Sequence, residues 1–499
     1  MFPTARTDLF PNTFAYEMAP LIKATGFREY DARWLMGPDL NLLGVEALGL
    51  GLGTLIQEMG KRRIVVGHDF RSYSLSVKQA LTLGLVSAGC EVLDIGLCLS
   101  PTAYFAQFDL EAPCVAMVTA SHNENGWTGV KMGANPPVTF GPEEIAALKA
   151  IVLEGRLQTK PGGSLTHVEG VAERYIADVA SRCRLSRPLK VVCACGNGTA
   201  GAFAPEALRR MGAEVIEMDC ELDWTFPRYN PNPEDLEMLH SMAETVRATG
   251  ADMALGFDGD GDRCGVVDDE GEEIFADKIG LMLARDLAPL HPGARFVVDV
   301  KSTGLYATDP VLAANGASTI YWKTGHSYIK RKTAEIGALA GFEKSGHFFF
   351  NAPLGRGYDC GLTAAAAILS MLDRNPGAKL SDLKRGLPVA HTSLTMSPHC
   401  ADETKYEVVA AVVKEFQDLA ASGGEILGRS ISEVITVNGV RVALEDGSWV
   451  LVRASSNKPE LVVVVESTRS ADDMRALFHQ EVKPRLGRHR QVGAYNQEI

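Results

Sequence analysis

The chain has 499 residues, carries a net charge of −13, and is 46% apolar and 22% charged. That length suits three to four domains of about 100–200 residues each, with the composition of an ordinary globular protein. The acidic balance argues against a nucleic-acid surface, which needs clustered Lys and Arg, and no apolar run approaches the about 18 residues of a membrane span.

The N-terminal stretch is broken by Pro, Arg and Asp and lacks the apolar core of a signal peptide. Next comes FREYDAR (Phe27–Arg33), a basic and aromatic cluster. The run IVVGHDFRS (Ile64–Ser72) then leads through an amphipathic stretch to AGCEVLDIG (Ala88–Gly96). The same pattern returns twice, in VVCACGNGTAG (Val191–Gly201) with MGAEVIEMD (Met211–Asp219), and in FVVDVKSTG (Phe296–Gly304) with NGASTIYWKTG (Asn315–Gly325). Each copy is an apolar β run, a polar or glycine turn, a helix-length segment, a Gly and a second β run, which reads as one βαβ unit written three times. Continuous apolar runs suit parallel strands buried on both faces.

Between the first and second copies lies AMVTASHNENGWTGVKMG (Ala116–Gly133). An apolar strand ends there in Ser121, on a polar loop with His122 and Lys131 close in sequence. A serine hydroxyl needs such help to act as a nucleophile; the competing reading is a helix cap. The G-x-S-x-G elbow of a Ser-His-Asp hydrolase is absent. Ten cysteines are scattered along the chain without a C-x-x-C, and Cys193 and Cys195 are the only close pair. They read as reduced core thiols of a cytoplasmic protein.

After the second copy, MALGFDGDGDRCGVVDDEG (Met253–Gly271) alternates Asp258, Asp260 and Asp262 with glycines behind an apolar strand. In extended backbone these carboxylates share a face, where they repel unless a cation intervenes. Oxygen-only ligands suit Mg²⁺. An EF-hand is excluded because Arg263 and Asp269 stand where Gly and Glu are required. A haloacid-dehalogenase-like site is disfavoured by Gly261 and Asp262, and an exposed acidic turn remains the plain alternative. Arg263 can pair with a phosphate.

In the third copy, YWKTGHSYIKRK (Tyr321–Lys332) is basic, although Lys330, Arg331 and Lys332 alone suit a solvated helix face. GFEKSGHFFF (Gly341–Phe350) alternates Glu343, Ser345 and His347. A carboxylate and a hydroxyl there suit vicinal sugar hydroxyls, against the alternative of a surface loop. From about Leu387 the pattern changes to a helical stretch, Glu403–Ala421, then alternating strands with a hairpin signal at Asp446–Ser448 and a final helix near Ala471–Leu486. The loop in LVRASSNKPELVVVV (Leu451–Val465) offers Arg453, Ser455, Ser456, Asn457 and Lys458 as a phosphate cradle or a plain hairpin. The expected domains are 1–165, 166–271, 272–386 and 387–499.

Taken together and in order, FREYDAR, TASHN…GVK, DGDGDR, WKTGHS, EKSGH and RASSN resemble the α-D-phosphohexomutase superfamily, in its phosphomannomutase/phosphoglucomutase branch, over essentially the whole chain. The resemblance implies three similar mixed α/β domains plus a C-terminal α+β domain around a central cleft. It implies a phosphoserine at Ser121, which with Asp258, Asp260 and Asp262 binds Mg²⁺. Arg33, His122, Lys131 and Arg263 would lie near the transferring phosphoryl, with Lys131 or His347 taking the acceptor proton. Glu343, Ser345 and His347 would read the sugar, Arg453, Ser455, Ser456 and Asn457 the distal phosphate, and Tyr30, Lys301 and His326 further cleft positions. The chain departs from common family patterns at Trp34, at Glu124 and in RASSNKPE.

The function so implied interconverts hexose 1-phosphate and hexose 6-phosphate through a 1,6-bisphosphate that also serves as activator. Small-molecule hexose phosphates are the expected partners, with no nucleic acid and no membrane. A phosphoglucosamine mutase or a metal-dependent sugar phosphatase is the alternative; His326 favours the glucose and mannose branch.

Overall fold

The computed structural model describes residues 13, 19–455 and 458–499. The chain divides into two compact units, one of Met1–Ala276, Thr333–Ala340 and Ser345–Asp382, the other of Asp277–Lys332, Gly341–Lys344 and Leu383–Ile499.

The first sheet of the first unit contains β1 (Ala32–Leu35), β2 (Arg63–His68), β3 (Glu91–Leu97), β4 (Cys114–Val118), β5 (Trp127–Asn135), β6 (Val138–Thr139) and β7 (Ser164–His167). Its order is β1-β5-β4-β2-β3-β7, with β6 on β5. The β2–β3, β2–β4 and β3–β7 pairs are parallel, whereas β5 runs antiparallel to both β1 and β4. Val65, Val66, Val115, Ala116 and Met117 are all fully buried, which is why these strands are apolar without alternation. Helices Leu42–Glu58 and Ser74–Ser87 cover one face. They approach so closely that a Cβ on Gly84 would meet Glu46 O at 2.1 Å. Asn41 starts the first of them, its side chain accepting from Gly44 N.

The second sheet is built from β8 (Lys190–Ala194), β9 (Glu214–Met218), β10 (Met253–Phe257), β11 (Cys264–Asp268) and β12 (Glu273–Ile274), in the order β12-β11-β10-β8-β9. β8 is parallel to β9 and β10, and β11 turns back antiparallel. The DGDGDR loop is the turn between β10 and β11. Also in this unit, the helix Gly361–Asp373 packs near Val171–Ala180 and Ala204–Met211, and Tyr175 Oη meets Cys360 Sγ at 3.1 Å.

In the second unit β13 (Arg295–Asp299) and β14 (Ser318–Trp322) pair in parallel. Phe342, on β15 (Ala340–Phe342), stacks with Phe296 and Tyr306; β16 (Phe348–Phe350), next in the chain, belongs to the first unit. The C-terminal sheet has the order β17-β22-β21-β20-β19-β18, from His391–Thr392, Glu425–Ile426, Arg429–Ile435, Val440–Leu444, Trp449–Ala454 and Leu461–Ser467 for β17 to β22. All its pairings are antiparallel. Helix Lys405–Ala421 and the helical run Ala471–Leu486 pack on it through Val412, Phe416, Leu477 and Phe478.

The three repeats are borne out as parallel pairs in matching register: Arg63 opposite Glu91, Lys190 opposite Glu214 and Arg295 opposite Ser318. The fold is therefore three mixed α/β segments followed by a sheet-rich α+β segment. Among the described residues no helix is long and apolar enough to cross a membrane.

Candidate active site

Ser121 leaves β4 with φ of 52°, a left-handed conformation unusual for a residue with a Cβ, and is almost fully buried. Its loop is braced from below. Thr119 Oγ1 accepts from Ser121 N at 2.8 Å and donates to Asp69 Oδ2 at 2.8 Å. Arg71 Nη2 donates to Ser121 O at 2.9 Å and Asn123 O at 2.7 Å. Asp69 and Arg71 sit in the polar turn after β2. Sequence reading placed that turn in a repeat and missed its part in the site.

The acidic loop meets this serine directly. Ser121 Oγ donates to Asp258 Oδ2 at 3.0 Å. A Cβ on Gly259 would stand 2.4 Å from Ser121 O, so glycine is required for the approach. Asp258, Asp260 and Asp262 are wholly buried, and ligand oxygens from the three lie within 4.8 Å of one another. Lys131 Nζ donates to Asp260 Oδ2 at 2.7 Å and Asp262 Oδ2 at 2.5 Å. Ser100, another residue missed from sequence, donates to Asp260 Oδ2 at 2.5 Å. Asp260 Oδ1 and Asp262 Oδ1 are buried without a hydrogen-bond partner among the described residues.

The electrostatics follow from this crowding. Burial and the neighbouring Asp262 and Asp260 push the Asp258 carboxyl up to about 8. Asp260 is held below its ordinary value, against its burial, by Lys131 and Ser100. Lys131 is held above the usual lysine value by Asp260 and Asp262, despite its burial. A hard divalent cation fits the site: three carboxylates, two oxygens that accept no hydrogen bond among the described residues, and an elevated Asp258 together mark a deficit of positive charge.

Further groups surround the pair of loops. His122 Nδ1 is 3.3 Å from Ser121 Oγ, and burial together with Arg263, Arg33 and Lys131 keeps the ring neutral. Arg33 Nη1 donates to Asn123 Oδ1 at 2.7 Å while its Nε pairs with Asp31 at 2.9 Å. Arg263 Nε donates to His347 Nε2 at 3.0 Å, and His347 Nδ1 lies 3.1 Å from Asp359 Oδ2. The Arg263 bond requires a lone pair on Nε2, which assigns the His347 proton to Nδ1. Asp359, wholly buried, was not singled out from sequence; it lies beyond β16, where no short-range pattern links it to His347. Tyr30 is half-buried and electrostatically coupled to Arg33; Ser345 is also half-buried, in the chain just before His347. The first unit thus gathers Ser121, His122, Lys131, Arg33, the three aspartates, Arg263 and His347.

The remaining candidates belong to the second unit. Buried Asp299 accepts from Ser302 Oγ at 2.6 Å, Thr324 Oγ1 at 3.0 Å and Lys344 N at 3.2 Å. It thereby gathers the turns that carry Lys301, His326 and Glu343; His326 and Glu343 are buried and Lys301 is half-buried. Arg453 is the last residue but one of β21, its Nη1 donating to Ala454 O at 3.0 Å. Ser455 Oγ accepts from Lys458 N at 3.3 Å, and Lys405 Nζ reaches Ser455 O. Ser456 and Asn457 lie outside the described residues.

Comparison with known proteins accounts for this arrangement. Residues 24–159, 167–271 and 275–390 match phosphoglucomutase/phosphomannomutase alpha/beta/alpha domains I, II and III, and 400–483 match the C-terminal domain. A phosphomannomutase/phosphoglucomutase of Pseudomonas syringae pv. tomato is 35% identical over 93% of this chain and 97% of its own. A phosphoglucomutase of Neisseria gonorrhoeae is 33% identical over 89% and 93%. A phosphoglucomutase/phosphomannomutase family protein of Burkholderia thailandensis has a crystal structure that superposes with a TM-score of 0.83 at 30% identity, covering 93% of this chain and 98% of that one. These matches define the class, an enzyme of the α-D-phosphohexomutase superfamily. The chain belongs to the phosphoglucomutase/phosphomannomutase family.

Proposed function

We propose that the protein is a phosphomannomutase/phosphoglucomutase that interconverts hexose 1-phosphate and hexose 6-phosphate by way of a phosphoryl group on Ser121. The observation that carries the reading is the Ser121 hydroxyl bonded at 3.0 Å to Asp258, within an acidic trio in which two buried oxygens accept no hydrogen bond among the described residues.

Asp258, Asp260 and Asp262, with the serine oxygen, would hold Mg²⁺, which when bound supplies positive charge to the phosphoryl oxygens. The loop bracing at Asp69 and Arg71 fixes the serine oxygen, so that little reorganisation is needed for transfer. In the forward half-reaction the Ser121 Oγ–P bond breaks and a bond from the free sugar hydroxyl to phosphorus forms. The hydroxyl proton leaves to a base, for which Lys131 or His347 is the candidate, His347 Nε2 being free to accept it once Arg263 turns from it to the phosphoryl oxygens. Arg33 and Arg263 supply fixed positive charge against the phosphoryl oxygens. The resulting 1,6-bisphosphate turns end for end, and its other phosphate returns to Ser121. Added hexose 1,6-bisphosphate would prime unphosphorylated enzyme by the same reaction.

Glu343 and Ser345, with His326, Lys301 and Tyr30, would hold the sugar, and Arg453 and Ser455, with the neighbouring Ser456 and Asn457, the distal phosphate. Recognition of the equatorial C3 and C4 hydroxyls would leave C2 little read and allow both glucose and mannose. The ten free, buried cysteines suit a reducing, cytoplasmic setting.

Coupled assays with glucose 1-phosphate, mannose 1-phosphate and glucosamine 1-phosphate, read beside phosphate release and intact mass, test the proposal. Turnover of the first two with a phosphoryl adduct that Ser121→Ala abolishes is expected. Release of inorganic phosphate, preference for the amino sugar, or retained turnover in Ser121→Ala would overturn it.

A further inference from the structure

Cys193 and Cys195 lie two apart on and just after β8, so their side chains share a face, and Cys220 reaches them from the chain leaving β9. All three are free thiols, and their sulfurs lie within 4.8 Å of one another. The Cys193 and Cys195 sulfurs are 3.8 Å apart, and Cys220 Sγ sits 3.2 Å from Cys193 O. Cys193 and Cys195 are wholly buried and Cys220 is 8% exposed. None of the other seven cysteines joins such a group among the described residues.

Three sulfurs around one thiophilic ion, with bonds of about 2.3 Å, lie about 4 Å apart. The cluster already has nearly that spacing, so little rearrangement is needed. Zinc in a structural site asks for four ligands, and a fourth is not at hand. The neighbouring carboxylates are engaged elsewhere, Asp219 with Arg228 and Tyr229, and Glu217 with Arg209. No other His, Cys, Asp or Glu atom completes the group among the described residues. Soft sulfur ligands in low coordination select monovalent copper.

We infer that Cys193, Cys195 and Cys220 form a three-coordinate binding site for a soft monovalent cation, Cu(I), separate from the acidic loop. Binding forms three sulfur–copper bonds. The thiol protons leave to solvent and the ion keeps its oxidation state. The site lies a short stretch of backbone away from the acidic loop. Gly196–Gly198 follow Cys195 directly, and Thr199 N donates to Gly259 O at 3.1 Å.

The test is an anaerobic titration of the full-length protein with Cu(I) against a colorimetric Cu(I) chelator, together with copper X-ray absorption. The wild type should retain one equivalent, with a shell of three sulfurs. Loss of an outer-shell partner alone costs about 10–100-fold in metal affinity. Cys195→Ser and Cys220→Ser should therefore each weaken retention by about 100-fold or more, while Cys400→Ser leaves it unchanged. Surrender of all copper to the chelator, a shell with two or four ligands or with nitrogen or oxygen, or full retention in both cluster variants would overturn the site. Should the variants fail to unfold cooperatively, the absorption spectrum of the wild type decides.

Discussion

Gly259 and Ser121 show how little room separates the two loops of the active site. An alanine at 259 would drive its methyl into the Ser121 carbonyl oxygen at 2.4 Å, and that oxygen is backbone already held by Arg71. We expect Gly259→Ala to unfold cooperatively yet lose about 100-fold in kcat, the cost of about 1 Å of misplacement; unchanged kcat would show that the contact is not needed. The acidic trio gives a readout that does not depend on turnover. Mg²⁺ at about 100 times its Kd should stabilise the protein by about 2.7 kcal/mol, seen as a rise in Tm reversed by EDTA. Asp260→Asn should abolish that rise and cut activity severely. At this scale the sequence was most informative where chemistry is local. Asp258, Asp260 and Asp262 announce themselves by alternation with glycine, and Ser121 by its place after a strand. Asp69, Arg71, Ser100 and Asp359 gave no such signal, because each acts on a residue remote in the chain.

At the scale of elements, the repeated apolar runs were legible because a strand buried on both faces has no polar side to show. The antiparallel character of β5 was harder to read, since Trp127–Asn135 is also almost wholly buried and apolar runs alone do not give direction. The C-terminal strands hide another feature. Glu466, near the end of β22 after five apolar residues, accepts from Gly304 N at 2.7 Å, Trp449 Nε1 at 2.9 Å and Thr303 Oγ1 at 3.0 Å. These donors, with Lys278 and Thr392, hold its carboxyl below the ordinary glutamate value despite burial. Glu466→Gln should therefore cost about 2 kcal/mol near neutral pH. A depressed folded value means that the stabilisation is complete above the unfolded pKa of about 4.3 and fades as pH falls through the lower folded value. Denaturant unfolding of both proteins from pH 7 downward should show the difference shrinking only on the acid side; a constant gap would mean that charge plays no part.

For the whole molecule, the division into compact units does not follow the order of the chain. The backbone passes from one unit to the other after Ala276, Lys332, Ala340, Lys344 and Asp382. Sequence reading placed its boundaries between successive repeats and at the change of pattern near Leu387, and a pattern read along the chain carries no information about a segment that returns later. The first unit needs Ser345–Asp382: Cys360 meets Tyr175, Asp373 accepts from Ser186 N at 3.1 Å, and Arg356 pairs with Asp178 at 2.7 Å. A fragment ending at Ala276 should therefore melt well below the intact protein and expose apolar surface to a reporter dye, whereas an independent cooperative melt at the native Tm would contradict this.

The three equivalent turns after β2, β8 and β13 have drifted into three trades. The first, with Asp69 and Arg71, props the nucleophile; the second, with Thr199, fastens Gly259; the third, with Thr303 and Gly304, clasps Glu466. Repetition thus furnished three turns in equivalent places, and each grips a stretch of chain outside its own copy. Damage at any of these turns should accordingly surface as a defect in the borrowed stretch while the parent sheet stays intact.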